Sequence, residues 1–140
     1  MSVIRIAAAV ILGADGRLLL VRKRGTRAFM LAGGKIDVGE TALEALRREI
    51  GEELGCGIGA EVKPLGRFSA PAAFEAGHVV EADLFAVALD GDIHLAAEIE
   101  EVAWHDPHDL DSRPLAALAR THALPLAQAL LHADGTVPPA

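Results

Sequence analysis

The chain has a single cysteine, Cys56, among 140 residues. No intramolecular disulfide is possible, so packing alone must hold the fold, and a reducing compartment suits that usage. Cys56 reads as a small packed residue after a helix rather than a reactive thiol. Aromatic residues make up only 4%, which leaves few platforms for stacking single-stranded bases. Positive charge is in the minority and the net charge is −7. Duplex nucleic acid and anionic membranes are therefore poor default partners. No apolar run approaches the ~20 residues of a membrane span. The start Met1-Ser2-Val3-Ile4-Arg5 lacks the layout of a signal peptide. These absences lead to an expectation of a soluble, cytoplasmic protein without a nucleic-acid polymer as partner.

Apolar residues make up 51% of the chain and charged residues 24%, a globular composition. The length suits one domain, which can bury about two thirds of its unfolded surface. With no repeat and no linker, residues 1–133 read as a single domain and 134–140 as a flexible tail.

The run Val3–Leu12 carries one charge, Arg5, and reads as a mostly buried strand. Gly13-Ala14-Asp15-Gly16 is a turn signal, and Leu18–Val21 then makes the pair a hairpin. Arg22, Lys23, Arg24 and Arg27 follow in a polar loop before a turn at Gly33-Gly34. Thr41 with Glu44 forms a capping box that opens a helix over Ala42–Leu54, closed by Gly55. Its apolar stripe is Leu43, Leu46, Ile50 and Leu54. Strands are expected over Glu61–Phe68 and Val79–Leu89, with a loop at Ser69–Gly77. Ile93–Leu95 and Val102–His105 are shorter strand candidates. Arg113–Arg120 and Pro125–His132 read as a helical pair, or as one helix kinked at Pro125. This order of elements predicts an α+β sandwich.

Glu49, Glu52 and Glu53 fall at i, i+3 and i+4. On a helix that spacing sets three carboxylates on one face, where they repel each other by a few tenths of a kcal/mol per pair (~0.2–0.5). An acidic solvated face is the ordinary reading of such a group. Three carboxylates beside a glycine-rich segment also suit a hard divalent cation, which takes oxygen ligands.

The wider pattern separates the two readings. Gly34, five residues, Glu40, seven residues, Arg48-Glu49-Ile50, one residue, Glu52-Glu53, one residue, Gly55 and Cys56 resembles the Nudix box, G-x5-E-x7-R-E-U-x-E-E-x-G-U with U a bulky apolar residue. Only Cys56 departs, being small. The resemblance implies a Nudix-type α/β/α sandwich with a mixed β-sheet. It also implies hydrolysis of the pyrophosphate bond of a nucleoside diphosphate linked to a further group. Mg²⁺ or Mn²⁺ would be the cofactor. Glu52 and Glu53 would be the principal ligands, Glu49 a ligand or base, and Arg48 the residue that holds a carboxylate in place. The Gly33 carbonyl would ligate as well, although the proline common before this glycine pair is here Ala32. Glu40 is assigned a structural role on loop amides. Outside the box, Glu98 is preferred as an assisting acid over Glu81, Glu100 and Glu101. Arg22, Arg24, Arg27 and Lys35 are the candidate phosphate-binding residues, against the alternative of a solvated loop. The six histidines are expected at the surface. The favoured substrate is a nucleoside triphosphate, oxidised or not, cleaved to monophosphate and pyrophosphate. ADP-ribose or a nucleotide sugar is the alternative, and a catalytically silent nucleotide-binding module is the alternative of a different class. Pairing as a homodimer is a further property of many relatives.

Overall fold

The computed structural model describes residues 2–72 and 76–133. The chain runs β1 (Val3–Val10), β2 (Leu18–Lys23), β3 (Gly33–Lys35), α1 (Ala42–Leu54), β4 (Gly57–Pro71), β5 (Val79–Asp90) and β6 (Ile99–His105). A π turn (Ala119–Ala123) then leads into α2 (Leu124–Ala133). Four strands form one mixed sheet in the order β3-β1-β5-β4, in which β1 and β5 are parallel. β2 and β6 form a separate antiparallel pair.

The periodicity of β1 and β2 explains the layering. Ala7–Val10 and Leu18–Val21 are buried on both faces, as continuous apolar runs are in sandwiched sheets. Alternate residues serve opposite layers. Ala8, Val10, Leu18 and Leu20 pack with Leu84, Leu124 and Ala127 on the α2 side. Ala7, Ala9, Leu19 and Val21 pack with Leu46, Ile50 and Leu54 on the α1 side. The α/β/α sandwich expected from the sequence is thus realised.

Several local expectations are corrected. The hairpin of β1 and β2 is confined to its turn: they pair antiparallel at the Leu12–Leu18 bridge, where the Gly13 and Leu19 amides donate to the Arg17 and Ile11 carbonyls, and then part into different sheets, β2 taking β6 as its partner. Gly33-Gly34 is not a turn but an edge strand antiparallel to β1, with Ala8 opposite Gly33 and Ala7 opposite Gly34. Among the described residues Ile93–Leu95 finds no strand partner. The amides of His94 and Ala96 instead donate to the carbonyls of Leu54 and Glu53, at 2.7 and 3.1 Å. Those are carbonyls that the end of α1 leaves without intrahelical partners. β4 extends to Pro71, into the stretch read as a loop; residues 73–75 and the tail 134–140 lie outside the described residues.

The C-terminal helix begins at 117, later than expected. Pro114 and Ala116 are engaged with Phe29, whose amide donates to the Pro114 carbonyl and whose carbonyl accepts from the Ala116 amide. The helix then runs through Pro125 by widening into the π turn, in which the Leu124 amide reaches the Ala119 carbonyl. Proline lacks the amide that an α-helix would use at 125 and crowds the preceding turn, so a widened turn just before it is a physical answer to both demands. Among the described residues no helix is long and apolar enough to cross a membrane.

Candidate active site

Both ends of α1 are fixed by local hydrogen bonds. The Thr41 hydroxyl accepts from the Glu44 amide at 3.1 Å, and the Glu44 carboxylate accepts from the Thr41 amide at 2.8 Å. Gly55 closes the helix in the left-handed conformation, φ 64°. Burial of Leu46, Ile50 and Leu54 then sets the rotation of the helix. That rotation buries Glu53, leaves Glu49 mostly covered and turns Glu52 outward.

Glu53 lies deepest, with 1% of its surface exposed. One of its oxygens accepts from the Gly33 amide at 3.0 Å, and the other lies 3.9 Å from the Lys23 ammonium. Burial raises its pKa to about 7. The Gly33 hydrogen bond and Lys23 pull it back down, while the nearby charges of Glu49 and Glu98 raise it further. A buried carboxylate held by one amide and one distant cation is short of positive charge.

The glycine pair makes this approach possible. A Cβ on Gly33 would stand 2.2 Å from the Ala7 carbonyl oxygen, at a backbone φ of 149°. A Cβ on Gly34 would stand 2.5 Å from the carboxyl carbon of Glu49. Glycine is required here for close contact of strand with strand and of strand with helix, not for a bend.

Arg48 organises the more exposed carboxylates. It grips Glu40 with two hydrogen bonds of 2.8 and 2.9 Å. It also donates to Glu49 at 2.9 Å, to Glu52 at 3.4 Å and to the Lys35 carbonyl at 3.0 Å. Asp37 adds an ion pair at 3.3 Å. Arg48 is held firmly protonated, chiefly by Glu40. The same contact, followed by the hydrogen bond from the Asp37 amide, lowers Glu40 to a pKa of about 2. Glu40 therefore braces the loop and the arginine, while Arg48 tethers Glu49 and Glu52 beside the glycine strand.

Part of this group opens onto a cavity of about 470 Å³, within the usual range for a small-molecule site, while Glu53, Arg48 and Glu40 do not line it. Glu49, Glu52, Glu98, Asp37, Lys23 and Lys35 supply its charged lining, and Gly33 and Gly34 form part of its wall. Glu98 is thus the outside acid that the fold brings to the cluster. Glu100 pairs with Arg24, Glu101 with Arg22, and Glu81 with Arg5 and Arg67.

The arginines of the polar loop are placed elsewhere. Arg22 binds Glu101 and the Thr26 carbonyl and covers the Phe29 ring. Arg24 binds the Ala97 carbonyl and Glu100. Arg27 is exposed, and none of the three lines the cavity. Lys23, passed over in favour of those arginines, is the cation from that segment that reaches the carboxylates. Strand alternation was the available signal: Arg22 and Lys23 are the last two residues of β2, so their side chains leave on opposite faces.

His105 is also not a surface residue. It is fully buried, with Nε2 2.6 Å from the Asp109 carbonyl and Nδ1 2.7 Å from Arg113. An arginine can only donate, so Nδ1 accepts and Nε2 carries the proton. Arg113 lies over Phe29 on its other side, and the network joins β6 to the loop before the C-terminal helix.

Among the described residues no three acidic, histidine or cysteine side chains are already drawn together around one point. The donor set still fits a hard divalent cation in its chemistry. It consists of carboxylate oxygens on one helix face, the deepest of them short of positive charge, and it contains no sulfur or imidazole of the kind that favours zinc. Arg48 and Lys23 now hold oxygens that such a cation would share.

A family model described as NUDIX domain matches residues 3–128. An ADP-ribose pyrophosphatase of Methanocaldococcus jannaschii is 31% identical over 100 residues, which cover 69% of this chain and 58% of that protein. The chain spans between 28% and 58% of the length of the curated proteins it resembles. Among solved structures, a MutT NUDIX hydrolase from Burkholderia pseudomallei superimposes with a TM-score of 0.71 at 26% identity, over 91% of this chain and 96% of the other. The solution structure of the E. coli ORF135 protein gives 0.67 at 26% identity, over 100% and 96%. With nearly its whole length inside that match, and with the glycine strand, Arg48 and the three helix glutamates packed against one another, the chain belongs to the NUDIX domain family.

Proposed function

We propose that the protein hydrolyses the pyrophosphate bond of a nucleoside diphosphate derivative in a metal-dependent reaction. The observation that carries this reading is the buried Glu53 carboxylate beneath a cavity whose lining includes three further glutamates and two lysines. Such a concentration of acid opposite ammonium groups suits an anionic ligand delivered together with cations. Mg²⁺ or Mn²⁺, held by Glu49, Glu52 and Glu53 with Glu98 and the Gly33 carbonyl in support, would neutralise the diphosphate and acidify water.

The chain's own groups perform the rest. Arg48 keeps Glu49 and Glu52 at the mouth of the cavity. Lys23 and Lys35 offer ammonium groups to phosphate oxygens. Glu49, largely covered and held by Arg48, would take the proton of the attacking water when it is not itself a ligand. A nucleoside triphosphate, cleaved to monophosphate and pyrophosphate, is the favoured substrate. The M. jannaschii relative, named for ADP-ribose, keeps that class as the second reading. Mg²⁺-dependent product release from nucleoside triphosphates, ADP-ribose and nucleotide sugars, in wild type and Glu53→Gln, tests both. Equal rates in the two proteins would overturn the proposal.

A further inference from the structure

The end of β2 is shaped around Lys23. Arg22 faces Glu101 on β6, but Lys23 faces Ile99, so Glu100 is an extra residue on that strand and makes a bulge. A bulge bends a strand and re-aims side chains beside it. The backbone is pinned on both sides of this point. The Lys23 carbonyl accepts from the Thr26 amide at 3.0 Å and from the Thr26 hydroxyl at 2.7 Å. The Arg24 amide donates to the Glu98 carbonyl at 2.8 Å. These contacts fix the root of the Lys23 side chain next to Glu98. Lys23 lines the cavity, while its ammonium lies 3.9 Å from Glu53 Oε2. The Gly33 amide holds the other oxygen, Oε1.

The two cations that touch the helix glutamates are held in different ways. Arg48 is anchored by both Glu40 oxygens, by Asp37 and by the Lys35 carbonyl. Its guanidinium is a fixed part of the frame. The Lys23 ion pair with Glu53 is too long for a hydrogen bond. Its charge is compact and sits on a flexible four-carbon stem. A divalent cation on Glu53 would need the oxygen that this ammonium faces, and like charges at such range repel. Removing a side chain that supports a metal site weakens the site. Removing one that competes with the metal strengthens it. The sign of the change therefore separates the two roles.

We propose that Lys23 is a competing counterion of the carboxylate cluster: its ammonium neutralises Glu53 in the free protein and so weakens the cluster's affinity for Mg²⁺ or Mn²⁺. The proposal rests on the metal-dependent reading above and adds to it a residue that sets how much free cation the protein requires. It gives Lys23 an action on the metal that is separate from any contact with phosphate, since it operates before a nucleotide is present.

The test is calorimetric binding of Mn²⁺ and of Mg²⁺ to nucleotide-free protein stripped with EDTA. Wild type, Lys23→Met, Lys23→Arg and Glu53→Gln are compared, each checked for folding by thermal melting. Lys23→Met removes the charge at nearly the same length and should tighten both cations by about 10-fold. Lys23→Arg keeps the charge and should bring no gain. A Lys23→Met affinity equal to or weaker than wild type overturns the inference, and so does an equal gain in Lys23→Arg. If Lys23→Met does not fold, Lys23→Gln replaces it and is read in the same way. Glu53→Gln distinguishes this failure from that of the metal-dependent reading. Lost binding in Glu53→Gln beside an unchanged Lys23→Met sinks the inference alone. Wild-type binding in Glu53→Gln places the cation elsewhere and sinks both, as does the absence of binding in every variant at millimolar cation.

Discussion

The layer between the sheet and α1 and the layer between the sheet and α2 are both aliphatic at their centres, yet only the first admits a buried acid. On the α2 side, Leu20, Leu84, Leu124 and a set of alanines meet, and the charged groups nearby are arginines at the edge, over Phe29. On the α1 side, Leu46, Ile50 and Leu54 share their helix with Glu53, which burial raises to a pKa of about 7. One layer is assembled for cohesion, and the other gives up cohesion to keep a carboxylate where a cation can use it.

The strongest way to break the comparison is to cut each layer once. Leu84→Ala on the α2 side should cost about 2–5 kcal/mol of stability through lost burial and the cavity left behind, equally with and without Mg²⁺. Denaturant unfolding in both conditions checks this. A loss that Mg²⁺ restores would mean that the layers are not separable.

Glu53→Gln on the α1 side should act in two opposite directions. Turnover should fall at least ~100-fold, or ~2.7 kcal/mol of transition-state stabilisation. The metal-free protein should become more stable at neutral and higher pH. The folded-state pKa of Glu53, about 7, lies above its ordinary value of 4.5, so the folded state holds the proton more tightly than the unfolded chain. Wild-type stability should therefore be highest below pH ~4.5 on this account and fall as pH rises towards 7, by up to about 3 kcal/mol for a shift of this size. The variant should lack that slope. Melting in EDTA between pH 5 and 8 measures it, and identical curves for the two proteins would show that the buried acid carries no cost.

Lys23→Ala and Arg24→Ala sharpen the boundary of the charged lining. Lys23 lines the cavity, and its removal should weaken substrate binding by about 1.5–3 kcal/mol, the range of a charge-assisted contact. Arg24 makes exposed contacts with Glu100 and the Ala97 carbonyl, so its removal should change kcat/KM little and stability by less than about 1 kcal/mol. Steady-state kinetics with the reverse order of effects would return the phosphate role to the arginine loop.

The smallest effect lies away from both layers. Asp109 is held at a pKa of about 2, first by the Ser112 side chain and then by the amides of Asp111 and Ser112. Its contribution should be present above its ordinary pKa near 4 and be lost as pH falls through 2. Asp109→Asn should melt slightly lower than wild type at pH 6, and the two should converge at pH 2.

The helix that bears the site was legible to the residue, because capping and C-cap chemistry are local and Thr41, Glu44 and Gly55 are enough to write them. The aliphatic character of the core was legible from periodicity. Pairing was not: nothing local in Val3–Val10 says that its partners are β3 and β5 rather than the adjacent β2. Gly33-Gly34 illustrates the same limit from the other side. The residues ask for an unusual backbone, and only the packed structure shows that the reason is the Ala7 carbonyl and Glu49. His105 and Lys23 were misjudged because their roles depend on Arg113 and Glu53, distant in sequence or on another element. Glu98, named from its place in the sequence, lines the cavity.

The parallel pairing of Val3–Val10 with Val79–Ala86 bears on how the chain reaches this structure. The central strand of the main sheet is made first and completed late, since one of its two neighbours lies more than half the chain away. Contacts of such long sequence separation slow folding, because the loop between them must close before any of their energy is gained. During synthesis, the run Ala7–Val10 has to remain without its parallel neighbour until β5 has emerged, an interval in which an unpaired apolar strand is open to association with other chains. The early formation of α1, whose caps are all local, would shorten that exposure by covering one face of the strand before the other neighbour arrives.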